Sequence, residues 1–135
     1  NMNEKLIIDA KNGFLGRVAS HAAKQALLGK EVIILNCNDS LISGDKAEIL
    51  GRYKQTKARG GTAQRGPNFP REPFRIMKRT VRGMLPDERL RGTEALKRVI
   101  CYNDTPKEFE LSNKITLVRE IRTKTIKLSE LSRIL

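Results

Sequence analysis

Four basic side chains near the middle of the chain have the spacing of a polyanion-binding helix face. If residues 76–85 belong to a helix, Arg75, Lys78, Arg79 and Arg82 recur at i, i+3, i+4 and i+7 and share one side. Like charges at this spacing repel each other by roughly 0.2–0.5 kcal/mol per pair, so the free protein gains nothing from the arrangement. The planar group of arginine suits phosphates and base edges. The pattern favours nucleic-acid binding over its alternative, a solvated basic face.

The excess positive charge of the protein is concentrated around this helix. Residues 52–98 contain 14 Lys/Arg and 4 Asp/Glu, a net charge of +10, whereas the whole chain carries +12. Localised charge indicates a binding surface rather than a general aid to solubility. Phe69 and Phe74 flank Arg71 and could stack on bases or pack under the loop. Further candidate nucleic-acid contacts in this segment are Lys54, Lys57, Arg71 and Lys97.

The residues before this segment predict an α/β unit that would hold the basic helix in place. Residues 5–10 and 31–36 are short apolar runs typical of buried strands. Between them, apolar residues from Leu15 to Leu27 recur with helical spacing, and Gly29 provides a stop. Strand, helix and strand within about 30 residues predict a βαβ unit with parallel strands.

Shorter patterns predict the remaining elements. A second helix begins after Ser43 or Asp45, and a buried strand covers 99–102. Residues 58–70 are rich in glycine and are expected to be mobile until a partner orders them. Residues 115–118 fit either a strand or a helix.

Three predicted helices should each bury an apolar stripe. The central helix is expected to bury Met77, Val81, Met84 and Leu85. The next helix, over 87–98, is expected to bury Leu90, Ala95 and Leu96. A last docking helix, capped by Ser129, is expected to bury Leu128, Leu131 and Leu135.

No set of residues has the pattern of an active site. Residues 9–17 predict a strand, a turn and a helix start, but Gly13-x-x-Gly16 lacks the GxGxxG fingerprint and no P-loop motif follows. His21 is the only histidine and falls on the polar side of its helix. We therefore expect no enzymatic activity, no catalytic residue, no cofactor and no small-molecule substrate.

Length, cysteines and hydropathy place the chain in a broad class. Its 135 residues suit one domain, and no run approaches the 18 apolar residues of a membrane-spanning helix, so we expect no membrane partner. Cys37 and Cys101 lie far apart without a CxxC motif, which predicts two reduced, mostly buried thiols in a cytosolic protein. A disulfide or a metal site is the alternative, and no metal is expected.

Several segments together resemble a known protein family. The chain resembles the large-subunit ribosomal protein family numbered thirteen, in its shorter archaeal and eukaryotic type. The resemblance covers residues 5 to about 106 and depends on five motifs: DAKNGFLGRVASHAAKQALLG at 9–29, ISGDKAEILGRYKQ at 42–55, GP at 66–67, RTVRGMLP at 79–86 and RG at 91–92. Residues 103–106 depart from the family pattern, and residues 107–127 match nothing in it.

The resemblance implies a fold and a function. It implies an α/β protein of three layers, α/β/α, with a four-stranded, mainly parallel sheet and a basic extension of helices and loop. It implies a non-enzymatic structural protein in the large subunit of the cytoplasmic ribosome, which contacts neighbouring ribosomal proteins, binds large-subunit ribosomal RNA and supports subunit assembly. The implied RNA contacts are Arg75, Lys78, Arg79 and Arg82, then the loop residues Arg59 and Arg65, and also Arg89 and Arg91.

The expected organisation is a single rRNA-binding domain over residues 1–135. Its α/β core would cover 4–57 and 97–106, its basic loop and helices 58–96, and its C-terminal tail 107–135. Two other classes remain open from the residues alone. A nucleotide-binding α/β enzyme would use Gly13 to Arg17, and a DNA-binding regulator would use Ile76 to Leu85 as a recognition helix.

Overall fold

The protein consists of six short strands and five α-helices, besides short 3-10 helices, in the part of the chain that the structure describes. This computed structural model describes residues 4–58, 71–86 and 88–135. The strands are β1 (Lys5–Asp9), β2 (Glu31–Leu35), β3 (Leu41–Ser43), β4 (Val99–Cys101), β5 (Ile115–Thr116) and β6 (Thr125–Lys127). The helices are α1 (Leu15–Leu27), α2 (Lys46–Ala58), α3 (Pro73–Gly83), α4 (Leu90–Lys97) and α5 (Leu128–Ile134).

Four of the strands form one parallel sheet with the order β4-β2-β1-β5. In its centre, β1 and β2 pair in register from Lys5 opposite Glu31 to Asp9 opposite Leu35. The unit of β1, α1 and β2 confirms the predicted βαβ arrangement. Two strands, β3 and β6, form a separate antiparallel ribbon.

The two faces of the parallel sheet are covered unequally. Ile8 and Ile34 point to one face, where they pack in a single core with buried residues of all five helices. Ile33 and Leu35 alternate to the other face, where Phe109 of a short 3-10 helix (Lys107–Phe109) covers them. Helices, sheet and helical turn make the three layers of the expected α/β/α fold, of which the turn is the thinnest.

Helix α1 matches its sequence pattern closely. Its small residues, Ala19, Ala22 and Ala26 among them, are fully buried, which lets the helix lie close to the sheet. The helix ends at Leu27, and Gly29 follows with φ of +99°, in the left-handed region where glycine is preferred.

The predictions for α3 and α4 were wrong at two apolar residues. The structure buries Met77, Val81 and Leu85 as expected, but Met84 is 44% exposed and Leu90 is 74% exposed. Helix α3 begins at Pro73 and ends at Gly83, so Met84 is its C-cap and leaves the buried stripe. Helix α4 begins only at Leu90, after Arg89 as N-cap, and Gly92 and Ala95 bring it close to the core instead.

The C-terminal residues return to the same core. Residues 115–118, which fitted a strand or a helix, contain β5, which pairs parallel with β1. Helix α5 buries its own Leu128 and Leu131 completely in this core, so the docking helix is confirmed. The predicted cap is wrong, because the N-cap is Lys127 and no side-chain bond caps this helix.

Candidate nucleic-acid interface

Helix α3 has a buried side and a basic exposed side. Pro73 at the first helical position begins the helix without an unsatisfied N–H, and Ile76, Met77 and Val81 are buried. The opposite side exposes three of the predicted contacts, which are Arg75, Arg79 and Arg82. This exposed side of α3 is called the arginine face below.

Arg75 is held loosely and remains available to a partner. Its Nε lies 3.7 Å from a carboxylate oxygen of Glu72, and its guanidinium carbon lies 5.7 Å from the centre of the Phe74 ring. Both side chains of the ion pair are at least half exposed, and exposed pairs contribute roughly 0–1 kcal/mol. A phosphate can therefore replace Glu72 at little energetic cost.

A residue that the sequence analysis did not select, Arg52, is a further exposed cation on α2. Burial raises the pKa of the Tyr53 hydroxyl, and the charges of Arg52 and Arg79 oppose that rise. The positive charges of Arg52 on α2 and Arg79 on α3 therefore both act on the Tyr53 hydroxyl. The sequence signal that could have identified Arg52 as a candidate contact is its position two residues before Lys54, at the start of the basic segment.

Lys78 does not lie with the three arginines. Its Nζ turns back to the protein, where it donates to the carbonyl oxygen of Leu96 at 2.7 Å and to that of Val99. Burial lowers the pKa of this ammonium, and the neighbouring Cys101 partly opposes the change. The structure thus assigns Lys78 to the junction of α3, α4 and β4, and its predicted place on the exposed basic side is wrong.

Helix α4 adds a second set of exposed cations. Arg89, Arg91 and Lys97 are exposed, and the Lys78 bond to Leu96 joins their helix to α3. Another cation of the basic segment, Arg98, is structural, because its Nη1 donates to the Ala26 carbonyl at 2.8 Å and satisfies the C-terminal end of α1.

The outer predicted contacts are only partly described. Lys54 on α2 and Arg71 before α3 are exposed. The side chain of Lys57, and the whole of Arg59 and Arg65, lie outside the described residues. The same holds for Phe69 and for the expected mobility of residues 58–70, except for the backbone of Ala58, which ends α2.

Helix α3 is fixed at its N-terminus by a distant side chain. The backbone N–H of Phe74 donates to Asn103 Oδ1 at 2.8 Å, and Glu72, the N-cap residue, makes no side-chain cap bond. Asn103 lies just after β4, in the turn where the chain departs from the family pattern. Nothing local in the sequence indicates this contact, because 29 positions separate the two residues.

The described residues lack the ligands of a metal centre. No three of their His, Cys, Asp and Glu side chains are close enough to hold a metal ion. Cys37 is buried and Cys101 half-buried, both as free thiols, and hydrogen bonding to Cys101 together with burial raises the pKa of Cys37. None of the described helices has the length and hydropathy of a membrane span. The exposed cations of α2, α3 and α4 suit the binding of an extended anion.

Comparison with known proteins agrees with the motif resemblance. The sequence model of the family described as Ribosomal protein L13 matches residues 3–108. The chain is similar to the large ribosomal subunit protein uL13 of Methanosarcina barkeri, with 46% identity over 82% of this chain and 79% of the relative. It is 40% identical to the uL13 of Archaeoglobus fulgidus, over 96% and 86% of the two chains. It is also 40% identical to that of Methanocaldococcus jannaschii, over 94% of each. The chain therefore belongs to the ribosomal protein L13 family.

Proposed function

We propose that this protein binds large-subunit ribosomal RNA through the arginine face and the exposed cations of α2 and α4. As a member of its family it is a structural, non-enzymatic constituent of the large ribosomal subunit, in the ribosome of the cytoplasm. The observation that carries the RNA-binding proposal is the exposure of Arg75, Arg79 and Arg82 on one side of a helix whose other side is buried.

The proposed contact set follows exposure. It comprises Arg52, Lys54, Arg71, Arg75, Arg79, Arg82, Arg89, Arg91 and Lys97, and the family resemblance adds Lys57, Arg59 and Arg65. Lys78 is left out because its ammonium group is bonded within the protein. Exposed Met84 and Leu90 lie beside the arginines in sequence and offer apolar contact to sugars and bases.

Charge neutralisation supplies most of the affinity in this proposal. Each phosphate that a lysine or arginine neutralises releases condensed counterions, so binding weakens as salt rises. Specificity comes from the shape of the folded RNA, because double-stranded RNA hides its base edges in a deep groove. By holding RNA segments against a rigid helix, the protein would support subunit assembly. Neighbouring ribosomal proteins would contact the rest of its surface.

A charge-reversal experiment tests the arginine face. Arg79→Glu combined with Arg82→Glu should weaken binding to large-subunit rRNA by several kcal/mol, since a hydrogen bond to a charged group contributes roughly 1.5–3 kcal/mol. The matched control is Lys5→Glu with Lys107→Glu, which makes the same change of charge at two exposed residues on the thinly covered face of the sheet.

Filter binding at several salt concentrations, with duplex DNA of similar length as competitor, measures the effect. We expect RNA-selective binding with a salt dependence equivalent to about five or more phosphates. Equal affinity of the Arg79/Arg82 variant and the wild type, with circular dichroism showing both folded, would remove RNA binding from this face. Equal affinity of the wild type for DNA would leave only a nonspecific polyanion-binding surface.

A further inference from the structure

A second basic surface lies along α1, apart from the residues proposed above. A groove of about 380 Å³ runs between the polar side of α1 and the segment that follows β5. We call it the α1 groove, and it is lined among others by Arg17, Ser20, His21, Lys24, Val118 and Arg119. Arg17 and Arg119 also line an adjoining groove of about 530 Å³, so the two grooves are neighbours on one surface.

The cations of the α1 groove lack acidic partners within the part of the chain that the structure describes. Arg17, Lys24 and Arg119 are exposed and make no ion pair there, and no Asp or Glu lines the α1 groove. The nearest acidic residue along the chain, Glu120, lines only the adjoining groove, where it pairs with Arg122 at 3.2 Å. Grouped cations without carboxylates repel each other and attract an external anion.

The position of the α1 groove in the fold is one where α/β proteins bind ligands. Strands β1 and β5 are parallel neighbours, so their carboxyl ends lie at the same edge of the sheet. From β1 the chain crosses to β2 through α1, whereas it reaches β5 from β4 past Phe109 on the opposite face. The residues that follow β1 and β5 line the groove, which is therefore at a topological switch point.

Close packing around Gly13 shapes this end of the groove. Gly13 and Val118 form an antiparallel bridge, which holds the segment after β5 against the turn before α1. A Cβ atom at Gly13 would lie 3.0 Å from Cγ2 of Val18, so only glycine fits without displacement of its neighbours. The bridge thereby fixes Arg119 near Arg17 across the groove.

We propose that the α1 groove binds the phosphate backbone of a second ribosomal RNA segment. This inference rests on the proposed RNA-binding function. Arg17 and Lys24 are two helical turns apart, about 10 Å along the axis, so a strand along α1 would present several phosphates to them. Two adjoining open grooves suit a polymer better than a mononucleotide, which would need an enclosed place for its base.

The second segment would lie away from the first. Helices α3 and α4 contact β4, at one edge of the sheet, whereas the α1 groove adjoins β5, at the other edge. One compact domain would therefore hold two RNA segments on different sides of α1. The overall affinity for the RNA would rise, because the second contact forms within an existing complex, where the effective concentration of the second RNA segment is high.

The groove variant that tests this inference is Arg17→Glu with Arg119→Glu. Its comparators are the Arg79/Arg82 variant and the Lys5/Lys107 control, all with the same change of charge. The probe is large-subunit rRNA of Methanosarcina barkeri, transcribed in vitro and bound over a range of salt concentrations. We expect the groove variant to bind about 100-fold more weakly than the control, roughly tenfold for each lost phosphate contact, with a salt slope lower by about two.

Photo-crosslinking locates the second RNA segment. A photoreactive phenylalanine derivative replaces Ser20 in the α1 groove, Gly83 at the end of α3, or Lys107 as control, all exposed positions. Ser20 and Gly83 should crosslink to different rRNA segments, and Lys107 to none reproducibly. An ATP titration of the wild type examines the mononucleotide alternative.

Each outcome decides between the proposals. Binding by the groove variant equal to the control, with the Arg79/Arg82 variant weakened, overturns the second site and leaves the arginine face intact. Both variants equal to the control would remove RNA binding from both surfaces, and no binding of rRNA by the wild type would refute the RNA-binding function itself. Saturable ATP binding that Arg17→Glu with Arg119→Glu abolishes, or crosslinks from Ser20 no stronger than those from Lys107, would also overturn the second site.

Discussion

Replacing Lys78 with methionine separates a structural role from an RNA-binding role at one residue. Strand β4 is at the edge of the sheet, and Arg98 and Tyr102 on either side of it exchange backbone bonds with β2. The intervening Val99 carbonyl faces the open edge, where Lys78 donates to it and to the last turn of α4. Methionine keeps the apolar stem and removes both donors.

The magnitude follows from these two bonds. A hydrogen bond from a charged group contributes roughly 1.5–3 kcal/mol when buried, and the half-buried position of Lys78 allows water to replace part of it. We expect Lys78→Met to lower the free energy of unfolding by about 2 kcal/mol. Its affinity for large-subunit rRNA should stay within about 0.5 kcal/mol of the wild type, as for surface substitutions outside a contact.

The pH dependence of this difference has a definite sign. Burial lowers the pKa of Lys78 in the folded protein below its ordinary value of 10.5, so the unfolded chain binds this proton more tightly. The free energy of unfolding then rises with pH between the folded pKa and 10.5. The contribution of Lys78 to that free energy is complete above pH 10.5 and is lost as the pH falls through the folded pKa. The stability advantage of the wild type over Lys78→Met should therefore be larger at pH 10.5 than at pH 8.

Urea denaturation followed by circular dichroism measures stability, and filter binding under folding conditions measures RNA affinity. Arg79→Met serves as the comparator, with the expectation of weaker RNA binding. If Lys78→Met instead retained wild-type stability and lost RNA affinity as Arg79→Met does, the role assigned to the Lys78 ammonium would be refuted.

Three further substitutions test contacts that position the elements. Arg98→Met removes the bond to the Ala26 carbonyl and should lower the free energy of unfolding in urea by about 1.5 kcal/mol, so equal stability would contradict that contact. Asn103→Ala should cost about 1 kcal/mol, as loss of a helix cap does, and should speed hydrogen exchange of the Phe74 amide. Gly13→Ala should destabilise the protein by about 1–3 kcal/mol through overpacking, and unchanged NMR shifts of the Val18 methyl groups would argue against the close approach.

Local sequence patterns predicted the elements with long, regular periodicity. Helix α1 and the strands on either side of it followed from apolar spacing and one glycine, because each of these elements buries a continuous stripe or run. The pairing of β3 with β6 had no such signal. Each strand has only three residues, and the paired residues Leu41 and Lys127 are far apart in the sequence.

The candidate site was predictable in outline, but the prediction was wrong at the boundary between the exposed and buried sides of α3. Around α3, Lys78 lies about 60° from Arg75 on one side and from Val81 on the other, so spacing alone leaves its direction open. Its long stem let the ammonium reach inward to carbonyl groups, which only tertiary packing places there. Arg98 and Asn103 acquired structural roles for the same reason.

The two attachments of α3 have a consequence for the complex with RNA. Asn103 fixes the first turn of the helix and Lys78 fixes its middle, both to residues in or next to β4. A binding element already held in its final shape loses little conformational entropy on association, so less of the interaction energy is spent on ordering. The protein then acts as a rigid template, and the reorganisation that accompanies binding falls on the RNA.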